Sequence, residues 1–243
     1  MLRMKDFDVS DKRIKILIVG DSHAQDLVNA LYEAGFTKKI QLSTRQIGKS
    51  CGNLFIERDY FISKIEKYSL RDCENTGLFE DNKLRKLMLE ADEIWFNSSW
   101  QYWQAELLPR SVDNVNAIVG KHVKVRVFGA KNFGTYRIKD LLSKSESDRY
   151  AVKSLVLEDR IKTNALMRSN LSSDVFVDIA NLLCGEDVHV CSLFTDRGEL
   201  ISYDGGHLTI YGAKYLGEKL SQHPSLKHLV GLISSVPTLI ELG

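Results

Sequence analysis

Lys15-Ile16-Leu17-Ile18-Val19-Gly20-Asp21-Ser22-His23-Ala24 is the stretch that decides the fold. Its four successive apolar residues, three of them β-branched, read as a strand buried on both faces, the kind found inside a parallel sheet. Gly20-Asp21-Ser22 stops the strand abruptly. A helix is predicted over residues 25–34, because Leu27, Val28, Leu31 and Ala34 fall on one stripe and Gly35 suits its end. The unit is strand, tight turn, helix.

The same alternation continues outward from it. Further strands are predicted over residues 40–47, 91–96, 124–128 and 175–179. Helices are predicted over 81–90, 111–119, 148–169 and 209–221, with a short one around 61–67. The helix at 111 is placed after Pro109, which removes a helical N–H and crowds the preceding turn. Between Cys184 and Tyr203 a loop is expected, with a hairpin turning at Asp196-Arg197-Gly198. Five strands alternating with helices predict a three-layer α/β/α domain of flavodoxin-like type around a five-stranded parallel sheet. No Pro/Gly/Ser-rich linker divides the chain, so 1–243 reads as one domain, with 1–12 and 234–243 as peripheral tails.

Composition sets the limits on function. Of 243 residues, 44% are hydrophobic and 27% charged, enough for a real core in an ordinary globular protein. A net charge of +1 advertises neither nucleic acid nor an anionic membrane as partner. The apolar runs are strand-sized, far short of the roughly 18–20 residues of a membrane span, so no direct membrane insertion is expected. Residues 1–15 are polar and lack the apolar stretch that a secretory signal needs, so none is expected there. If Met1 is the native start the protein is therefore cytoplasmic, with its cysteines reduced; excised from a larger membrane protein, it lies outside the cytoplasm. Cys51, Cys73, Cys184 and Cys191 form no CxxC pair and predict no metal site. Cys184 and Cys191 are near enough in sequence to bridge in an oxidising compartment, and a Cys51–Cys73 bridge stays open.

In parallel sheets the ligand crevice lies at the carboxyl ends of the strands. Ser22 stands there, at the start of a helix whose N-terminal end favours developing negative charge. Taken alone, Ser22 also reads as a helix N-cap. Asp204-Gly205-Gly206-His207 changes that balance. A serine hydroxyl is a poor nucleophile until a base takes its proton, and the base needs a carboxylate to fix its tautomer. An aspartate three residues before a histidine can turn back onto the imidazole, and two glycines permit the turn. Ser22, Asp204 and His207 are thus the candidate catalytic residues.

Gly20-Asp-Ser-His-Ala24 near one end and Asp204-Gly-Gly-His-Leu-Thr209 near the other resemble the first and last blocks of the SGNH/GDSL hydrolase family. Within it, the chain looks like the branch that is fused to, or works with, acyltransferase-3 membrane proteins that O-acetylate bacterial surface glycans. In that branch paired cysteines precede a Tyr-Asp…His-Leu block, here Cys184, Cys191 and Tyr203. The resemblance implies a serine esterase or O-acyltransferase that needs no metal and no organic cofactor. It implies an acylated carbohydrate or glycan substrate, and a membrane acyltransferase as partner. It also implies an oxyanion hole from the Ser22 amide, a glycine after the second strand (Gly48, with Gly52 as rival) and Asn97 after the third. The usual GxND block is absent, replaced by Phe96-Asn97-Ser98-Ser99-Trp100.

Several other residues need placing. Trp95 is expected in the core, whereas Trp100 and Trp103 are candidates for a sugar-stacking platform, weighed against plain packing. The 129–134 turn has two glycines but neither the GxGxxG nor the GxxxxGK[ST] spacing that grips nucleotide phosphate. It reads as a substrate-contacting loop or an ordinary turn. His23 is expected to point away from the nucleophile, and His122, His189, His223 and His228 to lie on the surface. A catalytically silent SGNH-fold module that grips a glycan or a partner enzyme is the competing reading. A flavodoxin-type nucleotide-binding regulator is disfavoured.

Overall fold

In the computed structural model, residues 5–74 and 81–230 are described. In chain order the elements are β1 (Ile14–Gly20), α1 (Ser22–Glu33), β2 (Ile40–Gln46), α2 (Arg58–Lys64), α3 (Lys67–Glu74), α4 (Asn82–Glu90), β3 (Glu93–Asn97) and α5 (Tyr102–Val119). They continue with β4 (Lys124–Phe128), α6 (Ile138–Leu142), α7 (Glu146–Arg149), β5 (Lys153–Leu155), α8 (Glu158–Asn170), β6 (Phe176–Val177), α9 (Ile179–Cys184), β7 (Val190–Ser192) and α10 (Ile210–Gln222). Five strands form a parallel sheet in the order β2-β1-β3-β4-β6, the doubly wound order in which the chain reverses direction beside β1. The expected five-stranded parallel α/β fold is the fold observed.

β1 is buried as its composition demands: Ile16, Leu17, Ile18 and Val19 have almost no exposed surface. Their side chains alternate between two cores. Leu17 and Val19 join the layer of α4, α5 and α8, while Ile16 and Ile18 join that of α1, α9 and α10. Gly20 ends the strand because nothing larger fits. A Cβ there would lie 1.8 Å from the Asn97 carbonyl oxygen on β3, its register partner. The first turn of α1 is therefore held directly against the end of β3.

At the amino end of β3, the buried Glu93 carboxylate accepts from Trp95 Nε1 (2.9 Å) and Arg126 Nε (3.0 Å) and meets His228 Nε2 at 2.5 Å. Burial pushes its pKa up, but these partners outweigh it and hold the group below the ordinary carboxylate value. His228 lies on the surface as expected, but its ring is not without a partner: it closes a clamp on the buried Glu93 carboxylate.

Three expectations about local structure are corrected. The helix expected to start after Pro109 begins at Tyr102 and runs through the proline. The capping pair Gln101/Gln104 and the buried face of Ala105, Leu108, Val112 and Val115 outweigh a proline penalty of about 3 kcal/mol. The long helix expected over 148–169 is instead α7, β5 and α8. Lys153–Leu155 is drawn into an antiparallel pair with Val190–Ser192, which no local pattern announces. Finally, the last sheet strand is cut to two residues, because Asp178 caps α9 through the Asn181 amide. The turn at Asp196-Arg197-Gly198 does close a hairpin, with Phe194 bridged to Leu200.

All four cysteines are paired, Cys51 with Cys73 and Cys184 with Cys191, in place of the reduced thiols expected of a cytosolic chain. Among the described residues no helix is long and apolar enough to cross a membrane. The expected tail at 234–243 lies outside the described residues.

Candidate active site

The site is built on the β1–α1 turn. Asp21, not Ser22, is the N-cap of α1: its Oδ1 accepts the His23 amide at 2.8 Å. Its Oδ2 accepts Ser98 Oγ and the Ser99 amide, both at 2.9 Å, so the carboxylate pins the β1 turn to the end of β3. Behind Ser98, Asn53 donates its Nδ2 to the serine hydroxyl at 2.8 Å. Capping by Asp21 leaves Ser22 at the first helical position, exposed, with its amide among the helix-start donors that have no intrahelical partner.

The 204–207 turn comes to the same place from the far end of the chain. Asp204 Oδ1 accepts the amides of Gly206 (2.8 Å) and His207 (2.7 Å), which folds the turn, while Oδ2 faces His207 Nδ1 at 2.6 Å. His207 Nε2 faces Ser22 Oγ at 2.7 Å. Burial raises the Asp204 pKa, but the His207 amide and ring and the Gly206 amide outweigh it and hold the carboxyl below its ordinary value. The 129–134 turn packs against this loop: the Phe133 amide donates to the Gly205 carbonyl at 2.8 Å, and Asn132 Nδ2 reaches the same oxygen.

The remaining expected site residues fall out differently. Gly48 is exposed, in the loop that Ile47 ties to Gly20 through a 2.9 Å backbone bond. Asn97 is buried and donates one Nδ2 hydrogen to the His23 carbonyl at 3.1 Å. Trp100 is 0% exposed and donates Nε1 to the Phe128 carbonyl at 2.8 Å, so it offers no face to a sugar. This corrects the platform expectation for Trp100. Truncating it to alanine should cost about 3 kcal/mol or more of stability in denaturant melts. A loss confined to glycan turnover, with the melt unchanged, would contradict that placement. Trp103 is half-buried and donates to Gln101 Oε1.

His23 does not point away. Its buried ring stands edge-on to His207 with centroids 5.6 Å apart. Burial first, and then the nearby Lys131 cation, hold its pKa well below 6.5. The unfolded chain therefore binds a proton that the folded one refuses. Stability owed to His23 is whole above about pH 6.5 and is lost as the pH falls toward the folded value. Urea unfolding at pH 7.5 and pH 5 should show a larger acid loss for wild type than for His23→Gln. Equal losses would mean that His23 is not held neutral.

Asn53, Asp26 and Lys131 are residues of the site region to which the motifs give no part, while Asp21 and Tyr203 stand in the motif blocks without a stated role. Tyr203 is half-exposed and stacks on the His207 ring at 5.8 Å. Asp26 and Lys131 carry no local sequence signal that would pair them, because 105 positions separate them. Asp26 is a buried carboxylate beside Leu27 and Ala30 on the face of α1 that also carries His23, and Lys131 is a buried cation in the turn after β4.

A serine, a histidine and an aspartate thus meet in one hydrogen-bonded line beside the carboxyl end of β1 in a parallel α/β sheet, an arrangement that recurs on several unrelated folds. The chain belongs to the SGNH domain family in the form fused to AT3 domains, whose profile matches residues 5–222. Among curated proteins no sequence matches it. Among solved structures it is similar to the periplasmic domain of a lipopolysaccharide acetyltransferase from Salmonella ser. Paratyphi A, at 15% identity and a TM-score of 0.60, over 86% of this chain and 83% of that one. The catalytic domain of the peptidoglycan O-acetyltransferase of Streptococcus pneumoniae aligns at 13% identity and a TM-score of 0.41, over 89% and 94%.

Proposed function

We propose that this domain moves a small acyl group, in the first instance acetyl, to or from a hydroxyl of a bacterial surface glycan or its precursor, through an acyl-enzyme on Ser22. One observation carries the reading: the line Asp204 Oδ2, His207 Nδ1 and Nε2, Ser22 Oγ, closed at 2.6 and 2.7 Å on an exposed helix start. In that line His207 keeps its proton on Nδ1, facing Asp204, and accepts the Ser22 proton at Nε2. Oγ then attacks the ester carbonyl. The Ser22 and Gly48 amides and the second Nδ2 hydrogen of Asn97 receive the negative charge that forms on the carbonyl oxygen. His207 returns the proton to the leaving alcohol, and water or a sugar hydroxyl releases the acyl group.

Aromatic rings available to a sugar are Tyr203, beside His207, and Trp103, on the side of the 48–52 loop, where its ring would lie 3.3 Å from a Cβ at Gly52. Two disulfides belong to an oxidising compartment, which supports an extracytoplasmic domain working with a membrane acyltransferase. The test follows free acetate and acetylated glycan from a chromogenic acetyl ester, with and without acceptor. Appearance of acetylated glycan identifies a transferase, and acetate alone a hydrolase. A protein that neither turns over the ester nor is labelled by a fluorophosphonate would be the silent binding module instead.

A further inference from the structure

Asp26 and Lys131 form an ion pair at 2.7 Å, with 9% and 2% of their side chains exposed. Removing two charges from water costs several kcal/mol per ion, and a well-packed apolar pair in their place is often no less stable. Stability alone therefore does not explain them. Their position does. Asp26 stands one helical turn after Ser22, on the same face of α1. Its Oδ2 also accepts the amide of Leu208, the residue after His207, at 3.2 Å.

Two rungs thus join α1 to the 204–208 loop, one turn apart: Ser22 Oγ to His207 Nε2, and Asp26 Oδ2 to the Leu208 amide. The first rung must break and re-form in each catalytic cycle. The second never takes part in chemistry and can hold the separation while the first is broken. Lys131 neutralises Asp26, and among the described residues its Nζ meets no further acceptor. Burial lowers the Lys131 pKa, while Asp26, Asp21 and Asp204 hold it up.

We propose that Asp26 is a positioning residue for the Ser22–His207 pair, fixing the histidine loop to the nucleophile's helix through the Leu208 amide, with Lys131 as its buried counter-ion. The inference rests on the acyl-enzyme reading above. Asp26 touches no reacting atom. Its loss should appear in kcat, because misplacement of a base by about 1 Å costs on the order of a hundredfold.

Two charge-free double variants isolate the rung. D26N/K131M keeps an acceptor for the Leu208 amide, and D26L/K131M has none. With the chromogenic acetyl ester, D26N/K131M should stay within about fivefold of wild type. D26L/K131M should lose about a hundredfold in kcat, with KM changed less than about threefold. Equal kcat in the two doubles would overturn the proposal. Should D26L/K131M fail to fold, the Leu208 amide proton decides. It should move upfield in D26N/K131M as its acceptor loses charge, and an unmoved resonance overturns the proposal. Wild-type protein that is not labelled by a fluorophosphonate brings down the acyl-enzyme reading itself. Normal labelling with equal doubles brings down only the positioning role.

Discussion

Ser22→Ala should remove ester turnover by several orders of magnitude and leave the melting temperature within about a degree of wild type. The two halves of that expectation have separate causes. Ser22 Oγ is exposed, and its partner is His207 Nε2. The cap of α1 belongs to the Asp21 carboxylate. Deleting the hydroxyl therefore empties no core position and uncaps no helix, and such surface changes stay within about 0.5 kcal/mol. On the proposed acyl-enzyme reading the chemical loss is that of a triad nucleophile, which would leave only the proposed oxyanion donors and binding. Initial rates with the acetyl ester and fluorophosphonate labelling measure the first half, and a thermal melt the second. Residual turnover above a few per cent would move the nucleophile elsewhere. A melt depressed by many degrees would mean that Ser22 supports the fold.

The distinction between Ser22 as cap and Ser22 as nucleophile also shows what the sequence can and cannot reveal. The strand over Ile14–Gly20 is legible because burial on both faces of a sheet leaves a continuous β-branched run that neither helix nor loop imitates. The DxxH turn is legible because a carboxylate three residues before an imidazole closes locally, without help from distant chain. What is not legible depends on contacts far apart in sequence. Whether Ser22 or Asp21 caps α1 is settled by Ser98 and Ser99, which hold the Asp21 carboxylate. β5 is a strand only because β7 lies beside it. Trp100 follows β3 as an exposed platform residue would, yet the Phe128 carbonyl and the α5 layer take it inside. Asp26 looks like one polar residue on an amphipathic helix until Leu208 and Lys131 arrive from elsewhere.

Gly205→Ala should disable the site where Gly206→Ala does not, although the two glycines are adjacent and equally conspicuous in Asp204-Gly-Gly-His207. Gly205 has φ +85°, a conformation that costs an L residue roughly 1–2 kcal/mol. An added Cβ would also lie 2.1 Å from the Gly134 carbonyl oxygen, a backbone atom that no side-chain rotation can withdraw. To relieve both, the loop must leave the 129–134 turn, where the Gly205 carbonyl accepts the Phe133 amide. That movement carries Asp204 and His207 with it. At Gly206 a Cβ would meet Asp204 Oδ1 at 3.7 Å and His23 Nε2 at 4.0 Å, ordinary contacts, and the backbone there lies outside the left-handed region. Gly205→Ala should therefore lower kcat/KM at least a hundredfold and depress the melting temperature, while Gly206→Ala stays within a few-fold of wild type on both counts. Measured side by side on the acetyl ester, equal behaviour of the two variants would show that the turn does not depend on the left-handed residue. Wild-type activity in Gly205→Ala would show that Asp204 and His207 need not be held against the 129–134 turn to act.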